Sequence, residues 1–176
     1  MLYSTKLGLV GKRIYGKTRE MIGNMEKEES YMQEIADGYR PDVERLIKYI
    51  PWLETMKGND AVSGTYSGQG IAEHSITIPV YDGNLLNLVK DARQTQLMDR
   101  NYAYVYSRNK IRTVAEEQRY IDHATIRQME GLKGILSKYI LGGMTRGAVW
   151  VQGVTNGSIL KVLVKMKEIL DYWERR

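Results

Sequence analysis

Whatever acid–base chemistry this chain performs falls to two histidines, and each follows a carboxylate: Glu73 precedes His74 and Asp122 precedes His123. A carboxylate beside an imidazole can orient a general base or help complete a metal site. Neighbours at i and i+1 point apart on a helix or a strand, however, so each pair depends on a tertiary contact. Cysteine is absent, which excludes thiolate ligation, and two imidazoles would need two further carboxylates to hold zinc. The spacing of a helical HExxH site does not occur. The sequence therefore reads as carrying no metal and no cofactor. The remaining polar pair with chemical potential is Arg119 and His123, four residues apart in RYIDH and hence on one face of a helix.

A second constellation is RNYAYVYSRNKIR, residues 100–112, where Tyr102, Tyr104 and Tyr106 alternate among Arg100, Arg108, Lys110 and Arg112. As a strand it would place three rings on one face, a stacking platform for single-stranded nucleic acid with cations for the phosphates. As a helix capped by Asp99, Tyr102, Val105, Tyr106 and Asn109 line one side and Tyr104 lies nearly opposite. The helical patterns on either side favour the helix, which makes Tyr102 and Tyr106 core residues. Tyrosine occurs 13 times and phenylalanine never, so the core must draw its aromatic volume from Tyr and Trp.

Charge is unevenly distributed. Residues 1–19 carry Lys6, Lys12, Arg13, Lys17 and Arg19 and no acid. Residues 20–91 hold six basic and thirteen acidic side chains, residues 92–176 fifteen basic and eight acidic, so these two parts cancel. The first 19 residues, with Gly8, Gly11 and Gly16 and no strong helical period, read as a basic arm, poorly ordered alone, that could follow a phosphate backbone or an acidic protein surface. The glycine-rich segments give weaker signals. SGQGIAEHS lacks the lysine and the preceding strand of a phosphate-cradling loop. GGMTRG, with Arg146, reads as a helix stop and turn.

The elements that must position these residues follow from periodicity and capping. Ile159, Val162, Leu163, Met166, Leu170 and Trp173 form one helical face after an Asn156-Gly157 turn. Ile126, Met129, Leu132, Leu136 and Ile140 mark another helix, with Thr125 and Gln128 as a capping box and Gly142-Gly143 as its stop. Thr113 and Glu116 box a shorter one from about 114 to 122, with a break near Ala124. Pro41 suits the first turn of a helix with Val43, Leu46, Ile47 and Ile50 inside, and Pro51 ends or kinks it. GNDAVSGTYSGQG, residues 58–70, reads as a long loop. SITIPVY alternates as an edge strand, and Asp82 caps a helix whose inner face is Leu85, Leu86, Val89, Ala92 and Arg93.

The segments PWLETMKG and LGGMTRGAVWVQGVTNGSILKVLVKMKEIL resemble an uncharacterised family of small, mainly helical proteins from bacterial phages and mobile elements, over about the last two-thirds of the chain. That family has no assigned activity. The resemblance implies a bacterial or phage cytoplasmic source and transfers no functional residue. Arg119 and His123 also resemble the Arg and His that cut RNA in the helical HEPN ribonucleases, although that family places more residues between its pair.

The expected architecture is a mainly α, single-domain helical bundle over residues 20–176 with a minor β element, preceded by the arm 1–19. The competing arrangement is α+β, with a small sheet drawn from 75–81, 101–107 and 148–152. No apolar run is long enough to span a bilayer or form a secretory core, so a soluble cytoplasmic chain is expected. The functional expectation is a non-enzymatic binding module for nucleic acid or an acidic protein surface. The alternatives are a metal-independent ribonuclease using His123 with Arg119, and a protein–protein adaptor; homo-oligomerisation is left open.

Overall fold

The computed structural model describes the backbone of residues 4–59, 62–67 and 77–175, and the side chains of 21–59, 62–65 and 79–175. Among these residues the chain is mainly α. Helix α1 runs from Ser4 to Ile47, α2 from Ile50 to Met56, α3 from Gly83 to Ala92, α4 from Tyr102 to Arg108 and α5 from Val114 to His123. A 3₁₀ turn, Ile126–Gln128, leads into α6, Met129–Thr145, followed by α7, Gly147–Thr155, and α8, Ser158–Glu174. The only sheet among the described residues is the antiparallel pair β1, Ser63–Ser67, and β2, Thr77–Tyr81, in which Thr65 faces Pro79. No described helix is long and apolar enough to cross a membrane.

The sheet differs from the α+β alternative. Its second strand pairs with residues 63–67, from within the stretch read as loop, whereas 101–107 and 148–152 lie in α4 and α7. A sequence-local ribbon closes with little loop entropy, and it leaves Pro79 free of a second neighbour that would need its missing N–H. The ribbon docks through Tyr81, whose ring meets Trp150 edge-on at 5.4 Å.

Helix α1 also departs from expectation, because its backbone is helical from Ser4, through the stretch read as an arm, and Pro41 lies inside it. Proline withholds only one N–H, the bond toward the carbonyl of Asp37. Beyond it Val43 and Leu46 are buried and continue the stripe begun by Met32 and Ala36 against α8. Pro51 behaves as read: α1 ends at Ile47 and the proline sits in the first turn of α2.

Both capping boxes form. Thr113 and Glu116 satisfy each other's backbone N–H at the start of α5, and Thr125 and Gln128 do so ahead of α6. Gly142 and Gly143 do not stop α6, which continues to Thr145. Their smallness admits a partner instead: a Cβ on Gly143 would fall 1.9 Å from Cδ1 of Trp150, whose indole N–H donates to the carbonyl of Ile140 at 2.8 Å. In α3 the inner face is Leu85, Leu88, Val89 and Ala92, with Leu86 and Arg93 exposed, a rotation of about one residue from the expected stripe. Asp82 caps it, accepting from the N–H of Asn84 at 2.7 Å.

Helix α8 is the hub, touching α1, α2, α5, α6 and α7. Between it and α4, α5 and α6 lies a buried carboxylate, Glu117. Tyr106 donates to its Oε2 at 2.5 Å, Tyr139 to its Oε1 at 2.8 Å, and the Lys138 ammonium stands 3.1 Å from Oε2 and 4.5 Å from the centre of the Tyr106 ring. The Tyr139 hydroxyl accepts in turn from Asn156 Nδ2 at 3.2 Å and lies 3.3 Å from Ser158 Oγ.

Removing the carboxylate orphans two phenols and an ammonium at once, so Glu117→Ala should cost about 3–5 kcal/mol of stability in urea denaturation, whereas Tyr104→Ala, on an exposed ring, should be nearly neutral. Burial pushes the Tyr139 phenol up to about 12. A phenol raised above its unfolded value, about 10, contributes stability in full below that pH and loses it as pH rises toward the folded value. Unfolding free energy should therefore fall between about pH 10 and pH 12, and Tyr139→Phe should reduce that slope.

Candidate functional site

Helix α5 has two faces of opposite use. Glu117 and Ile121 turn inward and are buried; Glu116, Arg119, Tyr120 and His123, spaced three, four and seven apart, line a solvent-open cleft. The facing wall is the end of α4, with Asn109, Lys110 and Ile111, and the cleft has a volume of about 450 Å³. A second cleft of about 430 Å³ adjoins it, sharing Asn109, Tyr120 and Gln128 and adding Tyr104, Arg108 and Arg127. The two together form a groove between α4 and the α5–α6 corner.

Close contacts among α4, α5 and α6 shape that groove. Ser137, buried in α6, accepts from the N–H of Asp99 at 2.8 Å and donates to the carbonyl of Leu97 at 3.2 Å, clamping the approach to α4. Val105 presses on Gly134 and Tyr120 on Gly131, where a Cβ would fall 2.4 Å from Val105 Cγ2 and 1.9 Å from the Tyr120 hydroxyl. Tyr106 is tied to Glu117. The helix reading of 100–112 holds and Tyr104 is 56% exposed, but Tyr102 and Tyr106 are half-buried and not core as expected, because α4 lies at the edge of the bundle and buries no residue completely. Asp99 stands two residues before the cap position expected of it: its Oδ1 accepts from the N–H of Asn101, the residue at the N-cap.

The groove is cationic by default of its acids. The Glu116 carboxylate accepts from the backbone N–H groups of Arg112 and Thr113, at 2.8 and 3.0 Å, which hold it below the usual carboxylate range. Glu130 is taken by Tyr39 and Lys133, and Asp99 by Asn101. Arg127 pairs with Glu28. Arg108, Lys110 and Arg119 make no ion pair with any described residue, leaving three cations for an external anion. Burial pushes the Tyr120 phenol up and the positive charge of Arg108 opposes it, as their shared cleft requires.

Lys110 has an unusual backbone. Its φ is 54°, the left-handed region, where a side chain is crowded. The N–H of Ile111 bonds to the carbonyl of Tyr106 at 3.0 Å and that of Lys110 to Ser107 at 3.3 Å, the paired closure of a Schellman helix end in which glycine is the usual occupant.

The sequence candidates separate into groups. Arg108, Lys110, Arg119 and His123 converge on the groove. Arg112 is exposed at its margin, its N–H on Glu116. Arg100 lies at the far end of α4, in a different depression with Arg93, Tyr102 and Met144. Arg146 is an exposed, extended junction between α6 and α7 and not part of a glycine turn. The side chains of Lys6, Lys12, Arg13, Lys17 and Arg19, and His74 with Glu73, lie outside the described residues. Tyr120, Arg127 and Gln128 are site residues that the sequence reading passed over; the i, i+1 and i+4 relation of Tyr120 to Arg119 and Glu116 is the signal that carries the first of them.

His123 Nδ1 lies 2.8 Å from the carbonyl of Arg119, so that nitrogen carries the proton and Nε2 remains as the basic atom. No group of three or more potential ligands could hold a metal ion among the described residues. No family model matches the chain, and neither the curated proteins nor the solved structures contain a match.

Lys110 occupies a position where glycine would relieve crowding, so Lys110→Gly should raise unfolding stability by about 1 kcal/mol, read as a higher denaturation midpoint.

Proposed function

We propose that the protein is a non-enzymatic binding module for single-stranded nucleic acid, with the groove between α4 and α5 as its contact surface. The observation that carries this reading is the convergence of Arg108, Lys110 and Arg119, none paired to a described residue, beside the rings of Tyr104 and Tyr120. Phosphates need cations that are not already neutralised, and unstacked bases need an exposed ring. Tyr104 supplies such a ring one helical turn from Arg108, so a base and its neighbouring phosphate have partners on the same face. A lysine at the left-handed position 110 favours a role for its charge, because the fold alone would be served by glycine. An acidic protein segment would use the same cations but gains nothing from the rings. The resemblance to bacterial and phage proteins agrees with a cytoplasmic setting, which supplies such strands.

A second reading rests on the cleft shared by Arg119 and His123. There, His123 Nε2 would accept a ribose 2′-hydroxyl proton while Arg119 stabilises the phosphorane, giving metal-independent RNA cleavage. No second acid stands in a defined role to protonate the leaving oxygen, which places this reading behind the first.

Fluorescence anisotropy with oligo-dT, oligo-rU and a poly-glutamate peptide tests both. Arg108→Glu and Arg119→Glu should each weaken oligonucleotide binding about tenfold or more and flatten its salt dependence, with unfolding midpoints unchanged. Tyr104→Ala should weaken it by about 1–3 kcal/mol. Lys110→Gly should bind more weakly although it is more stable. Poly-glutamate binding without oligonucleotide binding overturns the nucleic-acid reading. Cleavage of the RNA that His123→Ala abolishes would replace binding by catalysis.

A further inference from the structure

Helix α1 is long, and the first part of it whose side chains are described is exposed. Its 44 residues span about 66 Å, yet the first buried side chain described in it is Met32. From Met21 to Tyr31 no residue is buried, and Met21, Ile22 and Met25 are 65%, 51% and 67% exposed. A helical stretch whose described side chains, Met21 to Tyr31, are all unburied is marginal in water, and Gly8, Gly11, Gly16 and Gly23 each cost the helix about 1 kcal/mol relative to alanine. A covering surface would stabilise it and remove the apolar cluster from water.

The charge along the same helix specifies what that surface is. By sequence, residues 4–19 hold five cations and no acid; residues 20–37 hold six acids and one cation, Lys27, so the stretch is −5 (1 − 6). The sign thus reverses near residue 20 along one continuous helix. A parallel copy would set like charges side by side. An antiparallel copy would set the +5 stretch of each helix along the −5 stretch of the other, with the apolar cluster at the centre. The sequence also places Leu7, Ile14 and Met21, and Thr18 and Met25, at seven-residue intervals, the spacing of a two-helix seam, while Met32, next in the second series, is buried in the fold's own core. Nucleic acid does not fit this surface, since half of it is acidic and its middle is apolar.

We infer that α1 pairs antiparallel with α1 of a second copy of this chain, about a two-fold axis near residue 20. The inference is independent of the nucleic-acid groove. It reassigns the cations of residues 4–19, expected from sequence to meet an external polyanion, to the acids of a partner helix.

Sedimentation velocity in the absence of nucleic acid, from about 1 to 100 μM, should show a dimer that weakens as salt rises. Met21→Glu combined with Met25→Glu should give a monomer with an unchanged unfolding midpoint for the remainder of the fold. Glu26→Arg with Glu34→Arg should weaken the dimer about tenfold or more, and adding Lys6→Glu with Arg13→Glu in the same chain should restore it. The chain has no cysteine, so direction is read cleanly: Ile14→Cys and Met25→Cys chains should form a disulfide with each other on mixing and not with themselves. A monomer throughout, a dimer indifferent to both charge reversals, or self-linking of Ile14→Cys each overturns the proposal.

Discussion

A carboxylate taken fully out of water is affordable only with partners, and Glu117 sets the geometry of everything around it. Its two oxygens collect a phenol from α4, a phenol and an ammonium from α6, and through Tyr139 the side chains of Asn156 and Ser158 at the head of α8. Four segments distant in sequence therefore meet at one charge. Apolar packing among α1, α6 and α8 supplies most of the burial, but it would tolerate small slides of one helix on another. The hydrogen bonds to Glu117 are directional and short, and they admit far fewer arrangements.

That constraint reaches the surface. With Glu117 and Ile121 facing inward, the 3.6-residue period leaves Arg119 and His123 facing out, so the buried network orients the exposed groove. Tyr106 does the same for α4: its bond to Glu117 turns Tyr104 and Arg108 toward the α5–α6 corner. The acids near the groove are occupied by backbone N–H groups, a phenol and a lysine, and this, more than any excess of cations, leaves the groove positive. The positive groove here arises from how acids are occupied as much as from where bases are placed.

Helix α1 has a different logic. Its C-terminal part is a core element, with Met32, Ala36, Val43 and Leu46 buried against the bundle, and Arg40 reaches the carbonyl of Leu170 in α8. Its earlier part buries nothing among the described residues, and by sequence its charge changes sign near residue 20. The same helix thus has a part held in the fold and a part whose described side chains face solvent. The groove and the exposed part of the helix are separate surfaces, and the Arg127–Glu28 and Tyr39–Glu130 contacts join α1 to the edge of the second cleft.

Local chemistry in the sequence determined the elements whose signals are complete within a few residues. The capping boxes at Thr113 and Thr125, the Asp82 cap, the Pro51 break and the stripe of α8 all need only neighbours along the chain, and all are present. Mainly α architecture followed from them. What tertiary structure decided is each case in which a residue answers to a distant partner. Gly142-Gly143 has the composition of a helix stop, yet Trp150 makes Gly143 a packing notch. Pro41 has the position of a helix start, yet burial of Val43 and Leu46 on the bundle carries the helix through it. Glu117 is indistinguishable in sequence from the solvent-facing Glu116 beside it; only the rings of Tyr106 and Tyr139 make one a buried anchor and the other a cap. The groove was half legible for the same reason. Arg108, Lys110, Arg119 and His123 could be named from residue type and spacing, but their convergence with Tyr120 and Arg127, and the separation of Arg100, required the packing of α4 across α6, which no local pattern encodes.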